Sequence, residues 1–217
     1  CGTLMVLPGL AAPAADWPQW AEEALSWGRE ASISRDLLAV PEKTVTRGMA
    51  AQLLYEAAGR PAVSGACPFS DVSGEYSSAV TWAAEEGCLS GAGDGTFAPD
   101  RPVTRQEFAA ILWRQAGSPD TAAQGLSQFR DAGSVAAWAR EPVLWCLQAG
   151  VMSGRGADQM APTGTITTAE ALVMLEQAHS LPDVSQLRTD LETLTAVHRP
   201  VGSQGEADAV QYLKERF

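Results

Sequence analysis

The chain has 217 residues, 46% of them apolar, and 26 acidic against 15 basic side chains give it a formal charge of −11. That apolar share suffices for a packed core and argues against disorder, while the acidic excess and the lack of a long basic stretch exclude a nucleic-acid partner. Any anionic ligand has to be held by a few placed cations and backbone amides, against an overall field that repels it.

Leu4 to Ala15 (LMVLPGLAAPAA) is an apolar run closing in small residues, as the end of a secretory signal does, with an Ala-x-Ala type site near Ala12–Ala14. Residues 1–15 are therefore expected to be part of a signal peptide, the alternative being an apolar strand or helix end. The run is too short to span a bilayer, and no later segment resembles a transmembrane helix. Cys1, Cys67, Cys88 and Cys146 form no CxxC pair and have no nearby histidine, which argues against zinc. If Cys1 leaves with the signal, three cysteines remain and disulfides are not what holds the fold; lipid modification is the other use for Cys1. No cofactor is expected.

Three divergent copies of one unit follow, which we delimit as 16–62, 66–120 and 126–180. The second reads F-S-D-V from Phe69, A-V-T-W from Ala79, G-C-L-S-G from Gly87, G-D-G-T-F-A-P from Gly93 and V-T-R-Q-E-F from Val103. The third answers with F-R-D-A from Phe129, P-V-L-W from Pro142, G-V-M-S-G from Gly150, M-A-P from Met160 and I-T-T-A-E-A from Ile166. Trp82 to Thr104 and Trp145 to Thr167 are equally spaced. The first keeps A-L-S-W from Ala24, Pro41 and V-T-R-G-M from Val45, with a shorter loop. Fixed spacing of landmarks is the mark of a repeat architecture.

Each copy predicts helix, loop, helix. Tyr76, Ala79, Val80 and Ala83 share one helical face that Gly87 ends. Asp-Gly and Pro within Gly91–Pro99 give turn chemistry, and Thr104 opens a second helix with a capping box to Glu107, Val103 and Phe108 forming a hydrophobic staple. Thr167 and Glu170 repeat the box. Met49 stands in its place in the first copy, so that helix is expected to be the least well defined at its start.

These motifs resemble the S-layer homology repeat of bacterial surface proteins: Phe-x-Asp, a Trp-bearing helix, Asp-Gly-Thr-Phe-x-Pro and a Thr-Arg-x-Glu helix start, over about Trp17 to Gln177. The resemblance implies a mainly α fold with three repeats in a pseudo-threefold arrangement. It further implies grooves between repeats that bind secondary cell-wall polysaccharide, whose pyruvate carboxylate meets the Arg of Thr-Arg. Arg47 and Arg105 sit at the first helical position, where a cation opposes the helix dipole at about 0.3–1 kcal/mol when exposed. Beside free amides such an Arg makes a carboxylate site; the other use is an ion pair with a neighbouring acid.

The expected carbohydrate-binding residues are Arg105, Thr104, Glu107, Trp82, Gly91 and Asp94 in the second copy, with Arg47, Trp27 and Trp145 from the others. Arg105 is expected to be exposed and to supply the principal cation. The Trp residues either stack on a sugar or pack in the core, the commoner use at helical spacing. Asp94 and Asp100 lack the alternation of a calcium loop and read as a turn. Thr168 replaces the third Arg.

From 181 the style changes. His198-Arg199, Gly202-Ser203-x-Gly205 and Ala209-x-x-Tyr212-Leu213 resemble the opening of secreted zinc aminopeptidases, so 181–217 would be a linker and the helical start of an α/β domain. No catalytic or metal residue carries over, and the chain as given is not expected to be an enzyme. Three readings stand: a wall-glycan anchor at the cell surface, the leading part of a surface metallopeptidase, and a helical protein-interaction scaffold. The last fits poorly, since a tetratricopeptide period near thirty-four residues is absent.

Overall fold

A computed structural model describes residues 16–121, 125–156 and 158–181. The signal-like run, Cys1 and the peptidase-like stretch from 182 lie outside the described residues. The chain divides into two compact units, Cys1–His179 and Ser180–Phe217, and the first holds all that follows.

Its helices are α1 (Glu22–Glu30), α2 (Arg35–Leu38), α3 (Arg47–Ala57), α4 (Ser77–Glu85), α5 (Arg105–Gln115), α6 (Arg140–Gln148) and α7 (Thr168–His179). Short 3-10 turns at Gln19–Ala21, Gly74–Tyr76 and Ala137–Ala139 lead into α1, α4 and α6. The described residues contain isolated β-bridges but no strand, so the fold is mainly helical. Ala79, Val80 and Ala83 are fully buried on the expected face of α4. The helix stops as Gly87 takes φ +71°, where a side chain would be strained.

Helices α3, α5 and α7 supply the core through Leu53 and Leu54, Phe108 and Leu112, and Leu172 and Leu175, all at most 2% exposed. Burying each such side chain stabilises by about 1.5–3 kcal/mol. Each of these helices packs on the first helix of another copy: α3 on α4, α5 on α6, and α7 back on α1.

Backbone hydrogen bonds follow the same circuit. Val45 N–H donates to Ile166 O at 2.9 Å, Ile166 N–H to Val103 O at 3.0 Å, and Val103 N–H to Val45 O at 2.9 Å, a closed ring. The first-turn amides of α3, which lack partners in their own helix, donate from Arg47 and Gly48 to Arg101 O and Pro99 O. Those of α5 donate from Arg105 and Gln106 to Gly164 O and Pro162 O, and those of α7 from Thr168 and Ala169 to Lys43 O and Pro41 O.

The capping box on α5 is complete, and in α7 Thr167 and Glu170 exchange the same two bonds at 3.3 and 3.1 Å. The start of α3 is firmer than the sequence suggests. Thr46 Oγ1 accepts from Met49 N–H at 3.3 Å, and the neighbouring copy satisfies the next amides. The missing Glu forfeits one back-bond only.

Candidate functional site

The Thr-Arg helix starts send their side chains into the next copy. Arg47 Nε donates to Phe97 O at 2.8 Å and Nη2 to Ser90 O, with the guanidinium 4.4 Å from the centre of the Phe97 ring. Arg105 does the same one copy on, Nε to Met160 O at 3.1 Å and Nη2 to Ser153 O. The two loops receive them in matching ways. Asp71 accepts the amides of Phe97 and Ala98, each at 2.7 Å, and Asp131 those of Met160 and Ala161 at 3.0 and 2.7 Å. These backbone bonds hold both carboxyls below the ordinary carboxylate range.

The two arginines then part ways. Arg105 is 4% exposed, and its Nη1 lies 3.3 Å from Glu170. Glu170 is also clasped by Arg155, whose Nε and Nη2 reach its two oxygens at 2.7 and 2.6 Å while Nη2 also donates to Thr165 O. Burial pushes Glu170 up, but the bonds from Arg155 and Thr167 and the charges of Arg105 and Arg155 outweigh it, leaving it below its usual value. The place beside Arg105 is thus occupied by the protein's own ion pairs. The expectation that Arg105 is exposed is overturned: at 4% exposure its guanidinium donates from Nε and Nη2 to two carbonyls and from Nη1 to a carboxylate, all within the protein.

Arg47 is only half-buried, and among the described residues its Nη1 has no partner. It opens onto a groove of about 200 Å³ lined also by Ser90, Glu107, Arg114 and Trp138. Burial, aided by neighbouring Arg101, holds the Arg47 guanidinium below its ordinary pKa against the opposing charges of Glu107 and Asp71. Glu107 is engaged elsewhere, by Arg101 at 2.8 Å and by the amide of Thr104 at 2.8 Å. The third junction has no cation in this place. Thr168 is fully buried with its hydroxyl on Lys43 O at 3.2 Å.

The other expected site residues divide as follows. Trp82 and Trp145 are 7% and 9% exposed, which takes their indoles out of reach of a sugar; they pack in the core. Trp27 is half-buried, its ring 5.5 Å from that of His179. Gly91 and Asp94 build the turn: a Cβ on Gly91 would come within 2.4 Å of the Phe69 ring, and Asp94 Oδ1 accepts from the Thr96 amide at 3.0 Å. Thr104 and Glu107 spend their polar atoms on the helix cap, so Glu107 reaches the groove only as part of its wall.

Trp138 was missed, although it is 55% exposed and lines the open groove. It sits mid-turn in Ala137–Ala139, seven residues before Trp145, and Trp20 and Glu75 stand at that offset before Trp27 and Trp82. That recurrence is the signal that could have found it. Cys67, Cys88 and Cys146 are free thiols.

Comparison with known proteins follows this geometry. Residues 68–109 and 128–172 match the S-layer homology domain. The surface-layer 125 kDa protein of Lysinibacillus sphaericus is 30% identical over 71% of this chain and 14% of its own length. S-layer protein EA1 of Bacillus anthracis is 30% identical over 48% of this chain and 12% of its own. The cellulosome-anchoring protein of Acetivibrio thermocellus is 24% identical over 64% of this chain and 32% of its own. The match therefore spans a third or less of these relatives. S-layer homology sequence at 68–109 and 128–172 is that of a non-catalytic anchoring module and marks an exported protein of the bacterial cell surface or cell wall.

Proposed function

Taking the chain as the anchoring part of an exported bacterial surface protein, we propose that it holds an acidic secondary cell-wall polysaccharide in the groove between its first and second copies. The observation that carries this reading is the half-buried Arg47 with Nη1 unpaired among the described residues, in a groove that also offers an exposed indole. A guanidinium with an open nitrogen suits a carboxylate such as a pyruvate ketal, and an indole face suits the apolar face of a sugar ring. Further support for three copies in a pseudo-threefold arrangement, at 16–62, 66–120 and 126–180, comes from the ring through Val45, Ile166 and Val103. The grooves are not equivalent in this reading: the first binds, the second is occupied by Arg155 and Glu170, and the third lacks the cation.

The test is sedimentation of the full chain with cell-wall sacculi that keep or lack their secondary polymer. Binding should require the polymer. Arg47→Ala should weaken it roughly ten-fold, the worth of one charge-assisted bond near 1.5 kcal/mol, and Trp138→Ala should weaken it too. Equal sedimentation with both preparations would mean peptidoglycan or non-specific adhesion instead.

A further inference from the structure

We infer that Arg114 is a second anion-binding residue of the first groove, so that the groove takes a polymer stretch carrying at least two acidic sugars; this rests on the groove reading above. Glu107, Ala110, Ile111 and Arg114 follow one another along one face of α5 and form a continuous wall of the groove. Arg47 lies at the Glu107 end, close enough for the two charges to interact. Arg114 lies seven residues further along, about 10 Å at the helical rise of 1.5 Å per residue. Cations held at the two ends of such a wall suit two carboxylates better than one. A chain whose charge recurs supplies them, and each further contact is then intramolecular.

Arg114 is exposed, and among the described residues no carboxylate pairs with it, although the chain carries 26 acids. Ten residues past the helix cap, where Thr104 is followed by Arg114, Thr46 is followed by Glu56 and Thr167 by Gln177. Glu56 is itself consumed by the Ser34 amide, Gln52 and Arg60, at 2.8, 2.8 and 2.9 Å. A cation at this position therefore occurs only in the copy that walls the open groove. Trp138, supplied by the third copy, lines the same groove and offers a neutral surface for a ring.

The experiment titrates the full chain, and its Arg114→Gln and Arg47→Ala variants, with three probes cut from the wall polymer. One has a single acidic sugar, one has two, and one has had its acid groups removed. Arg114→Gln should leave the single-acid fragment's Kd unchanged and weaken the two-acid fragment about five-fold, the weight of one exposed ion pair. High salt should erase that difference, and the neutral fragment should not distinguish the variants. An equal loss for both acidic fragments would reduce Arg114 to a contributor to the general field and overturn the inference, as would no loss for either. If Arg47→Ala affects neither fragment, the groove reading itself fails. If Arg47→Ala weakens both while Arg114→Gln is silent, only the second subsite falls.

Discussion

Arg105→Ala separates a tie between copies from a ligand group. The side chain is 4% exposed and donates to Met160 O and Ser153 O, with Glu170 at 3.3 Å. Removing one member of a buried pair costs about 3–5 kcal/mol when the other charge is left alone. Glu170 is not left alone, because Arg155 still grips both its oxygens. The loss is then two carbonyls without donors, at about 1–3 kcal/mol each when buried, in full at buried Met160 and with partial relief at exposed Ser153. About 3 kcal/mol is a fair total, and a domain of this size loses about 2–4 °C per kcal/mol, so Tm should fall by about 6–12 °C. Thermal melts by circular dichroism read this directly, with binding to wall polymer measured well below the melt. Binding should survive. If Arg105→Ala melts with the parent and abolishes binding, Arg105 is a ligand group and the first-groove assignment is wrong.

Acid should loosen the same ties. Glu170 and Glu107 fall below their ordinary 4.5, and Asp131 below 3.8, so in that range the unfolded chain binds more protons than the folded one. Their contribution is complete above the unfolded values and is lost as pH drops through the folded ones. The urea midpoint should decline below about pH 4, with a shallower decline in Glu170→Gln; an unchanged slope in that variant would dismiss the argument. Gly91→Ala should lower the unfolding free energy read from a urea titration by about 1–3 kcal/mol of overpacking, because its Cβ would sit 2.4 Å from the Phe69 ring and 2.8 Å from Thr96 O. A stability equal to the parent's would mean that this close approach does not matter.

The helices and the caps were legible because each is encoded locally. Thr104 and Glu107 lie three residues apart, and the face of Ala79, Val80 and Ala83 is written in its spacing. What the sequence hides is the difference between Arg47 and Arg105, which occupy identical Thr-Arg starts. It is made by Arg155, fifty residues beyond Arg105, in a loop of the next copy. Trp138 lies on a short 3-10 turn with no helical period to mark it, whereas the periodic Trp82 and Trp145 drew attention and are core residues. Phe-x-Asp was legible as a landmark, but its job, Asp71 and Asp131 gathering loop amides, involves partners some thirty residues away.

Closure of the ring through Val45, Ile166 and Val103 separates this fold from open solenoids, whose units can be added or dropped one at a time behind terminal caps. Here α7 needs α1, and the amides of Thr168 and Ala169 need the carbonyls of Lys43 and Pro41. In the pseudo-threefold reading proposed above, the number of copies is fixed by geometry. An internal deletion of one copy leaves two open faces and no partner for either, while an extra copy has nowhere to insert. Sequence drift within a copy is tolerated better where it spares these ties, since the ring through Val45, Ile166 and Val103 and the helix-start bonds are made by the backbone.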